Sequence, residues 1–226
     1  MSDMNIAKVA ISSNIQEQVY AALKSEIISG ELDFGTQLKE MELAETFGVS
    51  RSPIREALRR LCGDGLLELR PNCGIFVREF SMKYVSDLLS MRSMMESCGM
   101  KQFAADGMQA EDRAQLESLY AVVERATRQC DTMELPQHMD VDAQLHSFFN
   151  SMNHNEIMDE TWERMKLVNI VVQRLSLKNK TRAKQSQEEH LDVLSCLLAG
   201  DVDSAIEKNN IHIQHTKLFV EKALSD

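Results

Sequence analysis

Apolar residues recur at helical spacing through most of this chain. Ile15, Val19, Ala22, Leu23 and Ile27 form a first stripe, with Asn14 placed to cap it and Gly30 to close it. After the turn-forming run 30–36, Met41, Leu43, Ala44 and Phe47 predict a short second helix ended by Gly48. Three residues on, Ile54, Ala57, Leu58 and Leu61 mark a third, with Ser52 as its cap and Pro53 in its first position, where a missing N–H costs nothing. Residues 66–70 and 75–77 are short apolar runs around Pro71-Asn72-Cys73-Gly74, which predicts a β-hairpin and is the one strand signal in the chain. Two helices joined by a short Gly-containing turn and followed at once by a hairpin predict a winged helix-turn-helix unit.

From Ser81 onward the pattern is helical to the end. Helices are expected near 82–105, 111–130, 134–152, 155–179, 184–199 and 202–223, with breaks at Asp106-Gly107, near Pro136 and at Gly200-Asp201. Six helices with short connections predict an antiparallel bundle with its own core. The expected architecture is therefore mainly α: a flexible tail over 1–13, a winged helix-turn-helix domain over 14–78, and an all-α bundle of about six helices over 82–223. Nine Gly and three Pro in 226 residues leave too little turn material for an all-β fold.

Composition narrows the function. Lys+Arg 25 against Asp+Glu 35 gives a net charge of −10, which excludes coating of nucleic acid or membrane by bulk attraction and leaves room only for a local basic site. The five cysteines are scattered with no C-x-x-C pair, so neither a disulfide framework nor a thiolate zinc site is suggested, and reduced cytosolic thiols are expected. With no signal-peptide core and no apolar run near the roughly 18 residues a membrane span needs, a soluble cytoplasmic protein is expected.

The local basic site lies on the third helix. Residues 51–60 carry Arg51, Arg55, Arg59 and Arg60 against the single acid Glu56, a net +3. Arg51, Arg55 and Arg59 are spaced i, i+4, i+8, so they share one face while Ile54, Leu58 and Leu61 turn inward. Arginine's planar fork pairs with guanine O6/N7 or grips phosphate, which suits a helix entering the major groove. Three or four arginines neutralise too few phosphates for tight binding by one copy, so two copies are expected.

All six histidines lie in the helical part. Asp142 and His146 are four apart on one helix face, and His190 and His212 come from the last two helices. Three imidazoles and one carboxylate suit Zn²⁺, Ni²⁺ or Mn²⁺, with positions left open if the ion is six-coordinate. The same residues are compatible with unrelated surface and core roles, and the spacing alone does not choose.

Two motifs carry a resemblance. The run from Leu38 to Leu61, including Glu40, Leu43-Ala44, Gly48-Val49-Ser50-Arg51-Ser52-Pro53-Ile54-Arg55-Glu56-Ala57-Leu58 and the following Gly65-Leu66, resembles the DNA-binding domain of the GntR family of bacterial transcription regulators. That resemblance implies operator contacts by Arg51 and Arg55, with Arg59 beside them, and a wing-tip glycine, Gly74, against the minor groove. It also implies a homodimer on double-stranded, pseudo-palindromic operator DNA. Asp142-x-x-x-His146, Glu189-His190, Gly200-Asp201 and His212-Ile213 resemble the FCD effector domain of the FadR-like branch, and six effector helices resemble its VanR-like subgroup. The implied ligand set is Asp142, His146, His190 and His212 around a divalent transition metal, with Arg92 placed to pair with a small carboxylate effector. His138, His154 and His215 match no motif and are expected to be surface or packing residues.

These readings point to an effector-controlled transcription regulator rather than an enzyme. Two alternatives use the same residues: a metallohydrolase, with Glu188 or Glu189 as base but no H-E-x-x-H motif, and a regulator whose ion is purely structural.

Overall fold

The computed structural model describes residues 12–225, and the chain divides into two compact units, Met1–Glu79 and Phe80–Asp226. The expected flexible tail lies, for residues 1–11, outside the described residues. Residues 12 and 13 already belong to α1 (Ser12–Ser29), so Asn14 sits inside the first turn instead of capping it. The helix thus begins three residues ahead of the expected first helical residue, Ile15.

In the first unit α1 is followed by β1 (Gln37–Leu38), α2 (Glu40–Phe47), α3 (Arg51–Gly63), β2 (Leu67–Arg70) and β3 (Gly74–Val77). α1 packs across α3, where Val19, Leu23 and Ile27 meet the inward stripe Ile54, Leu58 and Leu61. Gly48, at φ 64°, supplies the left-handed residue that ends α2, and its N–H returns to Ala44 and Glu45. The cap of α3 is Ser50 rather than Ser52, making Arg51 the first helical residue and Pro53 the third. Pro is still tolerated there, because that N–H also has no intrahelical partner. The hairpin β2–β3 has Leu67 opposite Val77 and Arg70 opposite Gly74. A third strand joins it: β1 pairs antiparallel with β3, placing Gln37 opposite Phe76. Two residues are too short a stretch to show alternation, so this strand leaves no trace in the hydrophobic pattern.

The second unit holds α4 (Met82–Asp106), α5 (Ala110–Gln129), a 3-10 turn (Cys130–Thr132), α6 (Leu135–Ser151), α7 (Glu156–Leu177), α8 (Lys180–Leu198) and α9 (Val202–Ser225). Side-chain caps start four of them: Ser81 accepts from the Tyr84 N–H, Asn155 from Ile157 and Met158, Asn179 from Arg182, and Asp201 from Ser204. The Asn179 cap starts α8 four residues ahead of the expected position and brings Arg182 into its first turn. An apolar core built on Met100, Leu116, Val123, Leu145, Phe149 and Leu194 fills one region of the bundle. Polar residues fill another. Arg92, Glu96, Asp142, His146, Arg182, His190, Asn209 and His212 are all buried, on α4, α6, α8 and α9.

One glycine sets how closely two of those helices approach. A Cβ at Gly99 of α4 would overlap the carbonyl oxygen of Phe149 on α6, and that backbone atom has no freedom to swing away. The close approach brings Arg92 and Glu96 of α4 to His146 of α6. Gly99→Ala is therefore expected to destabilise the helical unit by about 1 to 3 kcal/mol, read as a lowered thermal midpoint of the full chain. An unchanged midpoint would show that the α4–α6 spacing is not constrained at this residue.

Candidate functional site

On α3, Arg51, Arg55 and Arg59 are exposed while Ile54, Ala57, Leu58 and Leu61 are buried, so the cationic face is presented to solvent. The four arginines do not behave alike. Arg51 and Arg55 both bond Glu40 at the start of α2. Arg59 pairs with Glu56 one turn back on its own helix. Arg60 turns toward α1, where it bonds Glu17 at 2.6 Å and its guanidinium lies 3.7 Å from the centre of the Tyr20 ring. Tyr20 in turn donates to Asp64 at 2.7 Å, and burial together with that carboxylate pushes its hydroxyl up to about 12. Arg60 is thus part of the domain's own packing. At the hairpin tip Asn72 (φ 60°) and Gly74 (φ 109°) are left-handed, and a Cβ on Gly74 would crowd the Gln37 amide, which donates to Cys73 O at 2.7 Å. The glycine is required by the backbone of the wing itself.

In the bundle, Asp142, His146, His190 and His212 are buried together, each offering one ligand atom, with all four atoms inside 4.8 Å of one another. His190 Nε2 and His212 Nε2 are 3.2 Å apart, and Asp142 Oδ1 lies 3.6 Å from the Nε2 atoms of both His146 and His190. Ligands at ordinary ion–ligand lengths stand roughly 3.0 to 3.4 Å from one another, so the 3.2 and 3.6 Å separations lie close to what one divalent ion requires. The other carboxylate oxygen, Asp142 Oδ2, is buried without a partner. Burial, reinforced by neighbouring imidazoles and by arginine, holds His190 and His212 well below the usual imidazole range, so both rings are neutral and carry lone pairs. Burial would raise the Asp142 carboxyl, but His146, His190 and Arg92 outweigh it and keep it ionised.

A second ring of residues holds these four. Glu96 accepts from Arg92 Nε at 2.8 Å and from Asn209 at 2.8 Å, and its Oε1 lies 3.0 Å from His146 Nδ1. Burial opposes its charge, yet Arg92 and His146 bring its carboxyl down to about 2. Arg92 also sets Nη2 against His146 Nε2, while its Nη1 is buried without a partner. On the far side Glu189 accepts from Arg182 at 2.8 Å and lies 2.8 Å from His212 Nδ1 and 2.5 Å from His215 Nδ1. A carboxylate on Nδ1 fixes the tautomer and turns Nε2 toward the cluster.

Comparison with known proteins decides the family. The sequence model "Bacterial regulatory proteins, gntR family" matches residues 15–77, and that of the FCD domain matches residues 87–215. The chain belongs to the GntR family, in its FadR-like, FCD-bearing branch. Among its relatives, the HTH-type transcriptional repressor RspR of Escherichia coli K12 is 26% identical over 88% of this chain and 86% of its own. The regulator YdhC of Bacillus subtilis is 27% identical over 88% and 87%. In fold the chain is similar to the GntR structure from Rhodococcus sp. RHA1, with TM-score 0.75, 19% identity, and coverage of 92% of this chain and 98% of that one. It is similar also to E. coli McbR/YncC, with TM-score 0.70, 21% identity, and coverage of 92% and 97%. As a GntR-family member it is a DNA-binding transcriptional regulator.

Several placements differ from the sequence reading of this regulator. His138, buried against Gln187, and exposed His154 lie outside the cluster as packing and surface residues, as expected, but His215, expected to be like them, reaches the cluster through Glu189. Glu188 is exposed and Glu189 is engaged by Arg182 and two imidazoles, so neither stands ready as a base. Arg182, fully buried beside His212, lies ahead of residue 184, where the sequence pattern starts α8, and so carries no signal there. No helix among the described residues is long and apolar enough to cross a membrane. Because Arg60 packs on Tyr20 whereas Arg55 faces outward, Arg60→Ala is expected to lower the stability of the first unit by about 0.5 to 1 kcal/mol and leave sequence preference on DNA intact. Loss of that preference with stability unchanged would put Arg60 among the DNA-reading residues.

Proposed function

We propose that this regulator is controlled by a small organic acid bound at a divalent metal site inside its helical unit. The observation that carries the reading is the convergence of Asp142, His146, His190 and His212 in one buried cluster beside Arg92, whose Nη1 has no partner. A bound Zn²⁺, Ni²⁺ or Mn²⁺ supplies open coordination positions for carboxylate oxygens. Arg92 Nη1 is the cationic hydrogen-bond donor for the same anion, and Glu96 keeps that guanidinium in place. The four ligands sit on three different helices, so an effector that favours one arrangement of α6, α8 and α9 shifts the population of states by its difference in affinity.

At the other end, Arg51, Arg55 and Arg59 face the DNA major groove, and the left-handed Gly74 lets the wing backbone approach the minor groove. Two copies act together as a homodimer on a pseudo-palindromic operator in the cytoplasm. Release from the operator on effector binding is the assigned sign, in keeping with the word repressor in the name of RspR. The six α-helices of the second unit support placement in the VanR-like subgroup.

Three measurements test this. Purified full-length protein is expected to hold about one divalent transition ion per chain, and a His190→Ala/His212→Ala variant almost none; equal metal content in the two would end the metal reading. A thermal-shift screen of organic acids on the metal-loaded protein is expected to find one that raises the midpoint, since a ligand at 100 times its Kd adds about 2.7 kcal/mol. No response to any acid would leave the ion purely structural. Arg55→Ala is expected to cost about 1 to 3 kcal/mol of operator binding and relax preference at one base pair; unchanged affinity would remove Arg55 from the reading face.

A further inference from the structure

Glu40 is an acid on a face that meets a polyanion. It is the first residue of α2, with its backbone held by the helix, and its carboxylate reaches across the turn to α3. Arg51 Nη2 donates to its Oε2 at 3.0 Å. Arg55 donates through both Nε and Nη2, at 3.0 and 2.9 Å. The Glu40 side chain is only 26% exposed, whereas Arg51 and Arg55 are 55% and 52% exposed.

The geometry within Arg55 matters most. A guanidinium has two edges that bond in pairs, the Nε–Nη2 edge along its side and the Nη1–Nη2 edge at its tip. Glu40 occupies the side edge, and no acceptor among the described residues occupies the tip. The tip edge, left free, presents two parallel donors at the spacing that guanine O6 and N7 accept. A long cationic side chain loses rotamer freedom on docking, and a carboxylate that already holds it removes part of that loss before DNA arrives. Glu40 also offsets the mutual repulsion of two cations one helical turn apart.

We propose that Glu40 is a positioning residue for sequence reading: it holds Arg51 and Arg55 with their outer donors aimed at base edges, so that it strengthens specific binding while weakening non-specific binding. The inference rests on the reading of those two arginines as DNA contacts. Because Glu40 is itself anionic, its two effects have opposite signs, which a merely structural acid would not produce.

The test uses the full-length protein and two duplexes: one selected by the unaltered protein from a random pool, and a scrambled version. Glu40→Gln, nearly identical in shape, is expected to bind the selected duplex roughly tenfold more weakly and the scrambled duplex more tightly, with its thermal midpoint unchanged. Glu42→Gln removes the same charge from the same helix turn but touches Lys39 rather than the arginines, and is expected to tighten binding to both duplexes. Glu40→Asp keeps the charge but shortens the reach, and is expected to lose preference without gaining non-specific affinity. If Glu40→Gln behaves as Glu42→Gln does, or Glu40→Asp keeps full preference, the proposal is overturned while the arginines keep their role. Should Arg51→Ala and Arg55→Ala both retain the preference of the unaltered protein, the arginine reading fails first and the proposal falls with it.

Discussion

Charge taken out of water inside a helical bundle has to find countercharge at close range, and this requirement organises the second unit. Asp142, Glu96, Arg92 and Arg182 are all buried, as are the three imidazoles between them. The carboxylates stay ionised because arginines and imidazoles stand within a few ångströms, and the imidazoles at His190 and His212 stay neutral because burial penalises their charge. An apolar bundle of the same size would need none of this. Asp142 Oδ2 and Arg92 Nη1 are among the buried polar atoms without a hydrogen-bond partner in the protein.

The cluster is also a mechanical junction. Glu96 on α4 faces His146 on α6, and Glu189 on α8 bonds His212 on α9. Four helices therefore meet through hydrogen bonds and ion pairs that have strict geometric demands, and α4 begins at Met82, two residues after the second unit starts. Gly99 fixes how near α4 lies to α6, so packing and site geometry are set by the same contact. On the first unit a similar economy holds: the face of α3 that turns away from Leu23 and Ile27 is the face that carries Arg51 and Arg55, and one acid from α2 spans both.

The helices were legible because their apolar stripes are long and periodic, and the hairpin because Pro71-Asn72-Cys73-Gly74 breaks two apolar runs. β1 was not, since Gln37 and Leu38 are too few to show a period. The Ser50 cap was missed in favour of Ser52 because Pro53 is acceptable at either the first or the third helical position. In the cluster, Asp142 and His146 announced themselves by i, i+4 spacing, whereas His190 and His212 could be grouped with them only as imidazoles on the last two helices, a grouping that the resemblance to the FCD domain turned into a ligand set. Glu189 of α8 is brought to His212 and His215 of α9 by helix packing, which no local pattern encodes. Arg182 lies on the inward stripe of α8 with Ser186, His190 and Val193, a signal that was available once the Asn179 cap was recognised.

If the buried carboxylate and imidazoles hold one ion, as proposed, its first shell must record them. X-ray absorption at the zinc edge of the full-length protein loaded with one equivalent of Zn²⁺ tests it most directly. Imidazole scattering from about three nitrogens is expected, with oxygen completing the shell at roughly 2.0 to 2.2 Å. A shell of oxygens alone, as for an ion held loosely at surface acids, would contradict it.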